Sequence, residues 1–309
     1  LLGEYGEVFD GATERPGSRH AERVALDEAG ALARGGTLFT TLEPCDHQGR
    51  TRPCTDAIIE AGVSRVVVAI ADPDPKVQGV GLARLREAGI DVEVGVESEA
   101  VTEQLAPYIT HRTTGRPRVV LKMATTLDGR IAAPDATSQW ITGPESRADV
   151  HRLRAESDAI VVGAGTVRAD SPSLTVRDFT PPVSDDALPH LDPWRIVLGA
   201  APDDLADRYE SWTGELDALL EDLGGRGMVQ VLVEGGGAVA GSFHRAGLID
   251  EYHLYMAPAI LGGDDGRPLF AGSGSPTMAD VQRGRFVSVT RLGDDVRLVY
   301  APAQRDFRP

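Results

Sequence analysis

With 309 residues, 41% of them hydrophobic and 25% charged, the chain has core material for two globular domains and lacks the composition of a disordered, collagenous or coiled-coil protein. No apolar run approaches the ~20 residues of a membrane helix and no basic-apolar leader is visible, so the sequence predicts a cytoplasmic protein with no membrane contact. Its 31 basic against 47 acidic side chains give a formal charge of −16, which opposes a partner held by a phosphate backbone and argues against nucleic acid.

In chain order, the first third alternates short β-rich runs with helical stretches. Ala21 to Ala29 reads as a helix, Thr37 to Leu42 as a strand, Cys54 to Ala61 as a helix and Arg65 to Ala71 as a strand. Val80 to Ala88 follows as a helix, Ile90 to Val96 as a strand and Glu99 to Tyr108 as a helix. This βαβ punctuation predicts a mostly parallel sheet with helices on its faces. The polar run Thr110-His-Arg-Thr-Thr-Gly-Arg-Pro117, broken by Gly and Pro, reads as the linker, giving expected domains of residues 1–112 and 113–309.

A second series begins with strand Arg118 to Met123 and helix Pro144 to Ala155, where Pro suits the first helical position. Strands follow at Asp158 to Val162, Arg195 to Leu198 and Val229 to Val233, with a surface loop expected over Phe179 to Pro193. The runs Glu251 to Met256, Arg285 to Thr290 and Val296 to Tyr300 lack long intervening helices, so antiparallel pairing is expected there.

The chain has two cysteines, both preceded by proline, in Pro44-Cys45-Asp-His-Gln-Gly-Arg-Thr-Arg-Pro53-Cys54. Upstream, His20-Ala21-Glu22 supplies the His-x-Glu half of a zinc-deaminase signature whose other half is the Pro-Cys pair. One imidazole and two thiolates give Zn²⁺ three ligands and leave a fourth position for water, whose pKa falls toward ~7. Glu22 does not share a helix face with His20, which suits a proton shuttle that does not touch the metal. Cys54 opens a helix, where the dipole favours a thiolate. His47 is assigned to the substrate pocket; Arg50 and Arg52 are either phosphate ligands or solvated loop arginines.

The strand-turn-helix Val229-Gln-Val-Leu-Val-Glu234-Gly-Gly-Gly237, continuing to Arg245, could approach a pyrophosphate with backbone N–H groups, as could Gly163-Ala-Gly165-Thr166. Such turns are more often plain β-to-α connections, and a dinucleotide-fold fingerprint is absent.

Eight residues separate the cysteines, and the segment Thr-Leu-Glu-Pro-Cys45 through Cys54-Thr-Asp-Ala closely resembles the bifunctional deaminase-reductase of riboflavin biosynthesis. Asp72-Pro-Asp-Pro-Lys76-Val-Gln-Gly resembles that family's substrate segment, with Asp74 where Asn is usual. Leu121-Lys-Met-Ala-Thr-Thr-Leu-Asp-Gly-Arg130, Ser138-Gln-Trp-Ile-Thr-Gly143, Asp149-Val-His-Arg-Leu-Arg154, Gly163-Ala-Gly-Thr166 and Leu232-Val-Glu-Gly-Gly236 extend the likeness over nearly the whole chain. Asp46, Gln48 and Arg52 replace the commoner Ser, His and Pro of the loop, and Leu1 to Phe9 looks like the tail of the family's opening helix, strand and Pro-Asn-Pro turn.

The resemblance implies an α/β protein with a cytidine-deaminase-like N-terminal domain and a dihydrofolate-reductase-like C-terminal domain. It implies zinc on His20, Cys45 and Cys54 with Glu22 as the proton carrier. It also implies NADPH against Ala124, Trp140, Thr166, Asp170 and the turn Gly236, Gly237, Ala238, Val239, Ala240, Gly241 and Ser242. A phosphorylated pyrimidine substrate would meet Ser138, Arg154, Leu174, Arg177 and Glu234, with Arg154 and Arg177 suited to its phosphate. Lys122 would polarise the sugar or support proton transfer, unless it is a snorkelling strand-end lysine. A homo-oligomer is expected. The rivals are a nucleobase or tRNA deaminase with an accessory domain, and a reductase whose first domain is only a zinc-stapled scaffold.

Overall fold

Valine and isoleucine runs supply the central strands of two separate sheets, each in its own compact unit, Leu1–Thr114 and Gly115–Pro309. A computed structural model describes residues 1–14, 17–48, 52–75, 77–180 and 192–303. Arg50, Lys76 and most of the expected loop between Phe179 and Pro193 lie outside the described residues. No described helix is long and apolar enough to cross a membrane.

In the first unit, β1 (Thr37–Leu42), β2 (Arg65–Ile70) and β3 (Asp91–Val94) form a parallel sheet in that order, with Leu38 beside Val66 and Val68 beside Val94. Val66, Val67 and Val68 are all buried, as a strand covered on both faces requires. Around it lie α1 (Ala21–Ala29), α2 (Cys54–Ala61), α3 (Val80–Glu87), α4 (Ser98–Gln104) and α5 (Ala106–Thr114). Leu26 of α1, Ile58 of α2 and Leu82 and Leu85 of α3 pack with Leu38, Val66 and Val68 into one core, which fixes the helices that carry the site. The polar run from Thr110 is helical as far as Thr114, so it continues α5.

The second unit is built on an eight-stranded sheet. Its strands are β4 (Arg118–Thr126), β6 (Ala159–Gly163), β7 (Trp194–Leu198), β8 (Glu210–Trp212), β9 (Gln230–Val233), β10 (Glu251–Ala257), β12 (Gly284–Leu292) and β13 (Asp295–Pro302). Their order is β12-β13-β10-β4-β9-β6-β7-β8, while β5 (Arg130–Ala132) and β11 (Arg267–Pro268) pair separately. From β10 to β8 every pairing is parallel; β13 joins β10 and β12 antiparallel, as the missing helices at that end anticipate. The helices are α6 (Pro144–Ala155), α7 (Ala164–Asp170), α8 (Leu216–Gly225) and α9 (Gly237–Ala246). One face of the sheet, with Leu121, Met123, Val231 and Val233, is covered by Leu219, Leu220, Leu223 and Phe243 of α8 and α9. The other, with Val120, Ile160, Val162 and Leu232, packs on Val150 and Leu153 of α6 and Val167 of α7. The glycine turns after β6 and β9 therefore lie side by side at the C-terminal edge of neighbouring parallel strands, where open α/β sheets bind ligands.

Candidate active sites

In the first unit, His20 immediately precedes α1, Cys45 follows β1 by three residues, and Cys54 is the first residue of α2. The fold brings them together. His20 Nδ1 lies 3.3 Å from Cys54 Sγ and 3.6 Å from Cys45 Sγ, and all three ligand atoms lie within 4.8 Å of one another. A tetrahedral Zn²⁺ with Zn–S near 2.3 Å and Zn–N near 2.0 Å puts nitrogen and sulfur about 3.5 Å apart, so these separations fit the ion.

The electrostatics of the two thiols differ from the expectation that helix-opening Cys54 is the thiolate. The hydrogen bond from the Cys54 thiol, with further help from the Cys54 N–H 3.4 Å away and from His20, holds Cys45 down at about 5. Sharing that proton, together with burial and the nearby Glu22, pushes Cys54 well up. The helix N-terminus does favour a thiolate, but its exposed N–H points at the other cysteine. Burial raises the Glu22 carboxyl, against smaller opposing effects of its backbone N–H and His20.

His47 is exposed on the loop, outside the metal group. Arg52 is exposed and paired with Glu60 at 2.7 Å, in keeping with a solvated loop arginine. Asp46 accepts from Thr55 Oγ1 at 2.5 Å and from Arg84 Nη1 at 2.6 Å, which ties the loop to α2 and α3.

In the second unit, Arg154 of α6 and Glu234 at the end of β9 form a bidentate pair, and Arg154 Nη1 also donates to Thr175 O at 3.2 Å. Lys122 occupies the middle of β4, not a strand end, with its ammonium 5.8 Å from the centroid of the Tyr255 ring. Burial pushes the Lys122 pKa down; Glu234 opposes this and Arg154 adds to it. Tyr255 in turn donates to Asp149 Oδ2 at 2.6 Å, where Arg297 also donates at 2.7 Å. Leu174 is buried and takes a positive φ of 51°, while Arg177 is exposed with its N–H 3.2 Å from His151 Nδ1.

Ser138 and Trp140 line a separate cleft with Thr126, Arg130 and Ile260, and the Arg147 guanidinium stacks 4.7 Å from the Trp140 ring. Thr166 meets the other glycine turn: a Cβ on Gly236 would lie 3.8 Å from Thr166 Oγ1. Within the expected cofactor turn, Ala238 and Ser242 face solvent, Gly236 and Val239 are half-buried, and Ala240 belongs to the apolar core. Gly237 and Gly241 have a packing reason of their own, since a Cβ there would strike Pro268 O at 2.5 Å and Ala271 O at 2.2 Å. Asp170 is exposed at the end of α7, and Ala124 is half-buried on β4. Residue patterns alone did not single out His151; its signal is the three-residue spacing to Arg154 on one helix face.

Residues 117–298 match the RibD C-terminal domain, and residues 4–70 match the cytidine and deoxycytidylate deaminase zinc-binding region. The chain belongs to the RibD family. The riboflavin biosynthesis protein RibD of Mycobacterium tuberculosis is 42% identical over 302 residues, covering 94% of this chain and 86% of that protein. The Escherichia coli RibD is 38% identical over 334 residues, covering 95% and 89%. Among solved structures, Acinetobacter baumannii RibD superposes with a TM-score of 0.88 at 34% identity, over 98% of this chain and 91% of that one. The diaminohydroxyphosphoribosylaminopyrimidine deaminase/5-amino-6-(5-phosphoribosylamino)uracil reductase from Thermotoga maritima superposes with a TM-score of 0.85 at 32% identity, over 98% of this chain and 90% of that one. As a RibD-family protein of riboflavin biosynthesis, the chain joins a zinc-binding deaminase domain to a RibD reductase domain.

Proposed function

We propose that the chain carries out two consecutive steps on a phosphoribosylamino-pyrimidine: hydrolytic removal of an exocyclic amine in the first unit and NADPH-dependent reduction of the ribosyl group to ribityl in the second. The convergence of His20, Cys45 and Cys54 with Glu22 beside them carries the first half of the reading. Held by His20, Cys45 and Cys54, zinc would supply an activated water as nucleophile. Glu22 takes the proton from that water and delivers it to the departing amine, and its burial keeps the carboxyl pKa above that of a surface glutamate, nearer the working pH.

Bound in the second unit, NADPH would supply the hydride that reduces the opened ribosyl imine. Thr166, Gly236 and Val239, with Ala124, Trp140, Asp170, Ala238 and Ser242, form the surface assigned to the cofactor, over the buried Gly237, Ala240 and Gly241; the adjacency of Thr166 and Gly236 supports it. Ser138, Leu174, Arg177 and Glu234 are assigned to the substrate. Arg154 is already engaged on three nitrogens, so its role is to hold Glu234, and the exposed Arg177 guanidinium is the better ligand for the phosphate. Lys122, half-buried in β4 and with its pKa lowered by desolvation, gives the imine nitrogen its proton as the hydride arrives. The test is to measure ammonia release and NADPH oxidation separately on one purified chain; absence of either from the appropriate substrate removes that half of the reading.

A further inference from the structure

Two residues before Cys45, the side chain of Glu43 is 3% exposed yet meets no cation among the described residues. Its Oε2 accepts the N–H groups of Gly79 at 2.9 Å and Asp72 at 3.1 Å, and its Oε1 those of Gly81 at 2.9 Å and Leu82 at 3.3 Å. Four donors saturate a carboxylate, which leaves no lone pair for a metal or a substrate proton. Gly79, Gly81 and Leu82 form the entry to α3, so the negative charge also sits where the helix dipole favours it.

The carboxylate joins two loops that leave the same edge of the sheet. β1 and β2 are neighbouring parallel strands, and after them come the segment that carries Cys45 and the turn Asp72 to Asp74. Asp72 is itself buried and extends the arrangement, accepting the Asp74 N–H at 2.9 Å and the Tyr108 hydroxyl at 3.4 Å. The two loops touch closely: a Cβ on Gly81 would lie 2.1 Å from Pro44 O. We infer that Glu43 is a positioning residue of the deamination site, setting the Asp72 turn and the start of α3 against the zinc segment so that substrate is held in register with the metal. This rests on the deaminase reading above.

Glu43→Gln is the test. An amide keeps the shape but presents two donors to two of the four N–H groups, so the loop junction loosens while the metal ligands stay. On the zinc-loaded full chain, the expected result is unchanged zinc content and unchanged reduction of the deaminated intermediate. The KM for deamination should rise about tenfold or more, as loss of charge-assisted hydrogen bonds implies, with kcat changed far less. A purely structural role would instead lower active zinc-loaded protein and leave the KM of the remainder untouched, and that result overturns the inference. If Glu43→Gln does not fold, Glu43→Asp keeps the charge and shortens the reach, and an unchanged KM there also overturns it. A parent chain that releases no ammonia overturns the deaminase reading and this inference with it; a parent that releases ammonia beside a variant of unchanged KM overturns this inference alone.

Discussion

Arg154 grips Glu234 through both ends of its guanidinium, Nε to Oε1 at 2.6 Å and Nη2 to Oε2 at 2.9 Å, across 80 positions of sequence. Their side chains are only 13% and 8% exposed. Burial pushes the Glu234 carboxyl up, but the Arg154 hydrogen bonds and charge, with Lys122 behind them, outweigh it and keep Glu234 below the usual carboxylate range. The pair is therefore a charged fixture that ties α6 to the end of β9.

Breaking this pair from one side strands the other charge. Arg154→Met or Glu234→Leu alone should cost about 3 kcal/mol, and the double variant should recover most of it, because apolar replacement of a buried pair is often neutral. Reduction should be lost in all three. Denaturant unfolding and NADPH oxidation measure the two effects independently; a double variant no more stable than either single one would show that the pair is not the source of the stability.

Arg177→Ala should act on the phosphorylated substrate and leave zinc content unchanged. If the guanidinium makes a charge-assisted hydrogen bond to the phosphate, the loss is about 1.5 to 3 kcal/mol, read as a rise in substrate KM. An unchanged KM takes Arg177 out of the site.

The pattern of apolar runs made the strands legible because parallel strands covered on both faces read as continuous Val and Ile. Helix α6 is bounded as expected because Pro144 sits at its first turn. Helix α8 is absent from the sequence reading although the spacing of Leu216, Leu219, Leu220 and Leu223 carries its signal, while α7 has none, since Gly165 and Thr166 are poor helix formers held by packing. The metal ligands could be read from residue types; the charge distribution between the cysteines could not, since it depends on where one backbone N–H points. Nor could the four-donor shell of Glu43, which is assembled from residues 29 to 39 positions away.

Asp128 gives a pH-dependent prediction. It accepts the N–H groups of Leu261 at 3.1 Å and Gly262 at 2.9 Å and the Thr126 hydroxyl at 2.6 Å, and it is held down at about 2 against an ordinary 3.8. A depressed carboxylate contributes stability that is fully present above its unfolded value and lost as pH falls through its folded one. Asp128→Asn should thus unfold at lower temperature than the parent near neutrality, with the gap closing as pH falls from 3.8 toward 2. A gap independent of pH would mean that the charge is not what holds the 261–262 turn.

Zinc should copurify near one ion per chain, and Cys45→Ser or Cys54→Ser should lose most of it, since three protein ligands are the minimum of such a site. After chelation, Cys45 is the half-buried member of the pair, more accessible than buried Cys54, and its thiolate persists down to about 5. Iodoacetamide should therefore mark Cys45 well before buried Cys54 in the metal-free chain at neutral pH, and the Cys45 rate should fall only as pH drops through about 5. Preferential labelling of Cys54 would reverse the assignment of the charge.

The two activities should separate cleanly in Glu22→Gln. Zinc would still be held by His20, Cys45 and Cys54, so metal content and folding of the first unit should persist. No carboxylate would remain to move the proton between the water and the departing amine, and general acid-base catalysis is typically worth about 10²- to 10⁴-fold, so ammonia release should fall by that factor. Given the deaminated intermediate, the same variant should oxidise NADPH at nearly the parent rate, because the residues assigned to reduction all lie within the unit that begins at Gly115. A parent chain that reduces this intermediate but releases no ammonia would make the first unit a zinc-stapled scaffold. Equal loss of both activities in Glu22→Gln would show that the two sites do not work independently.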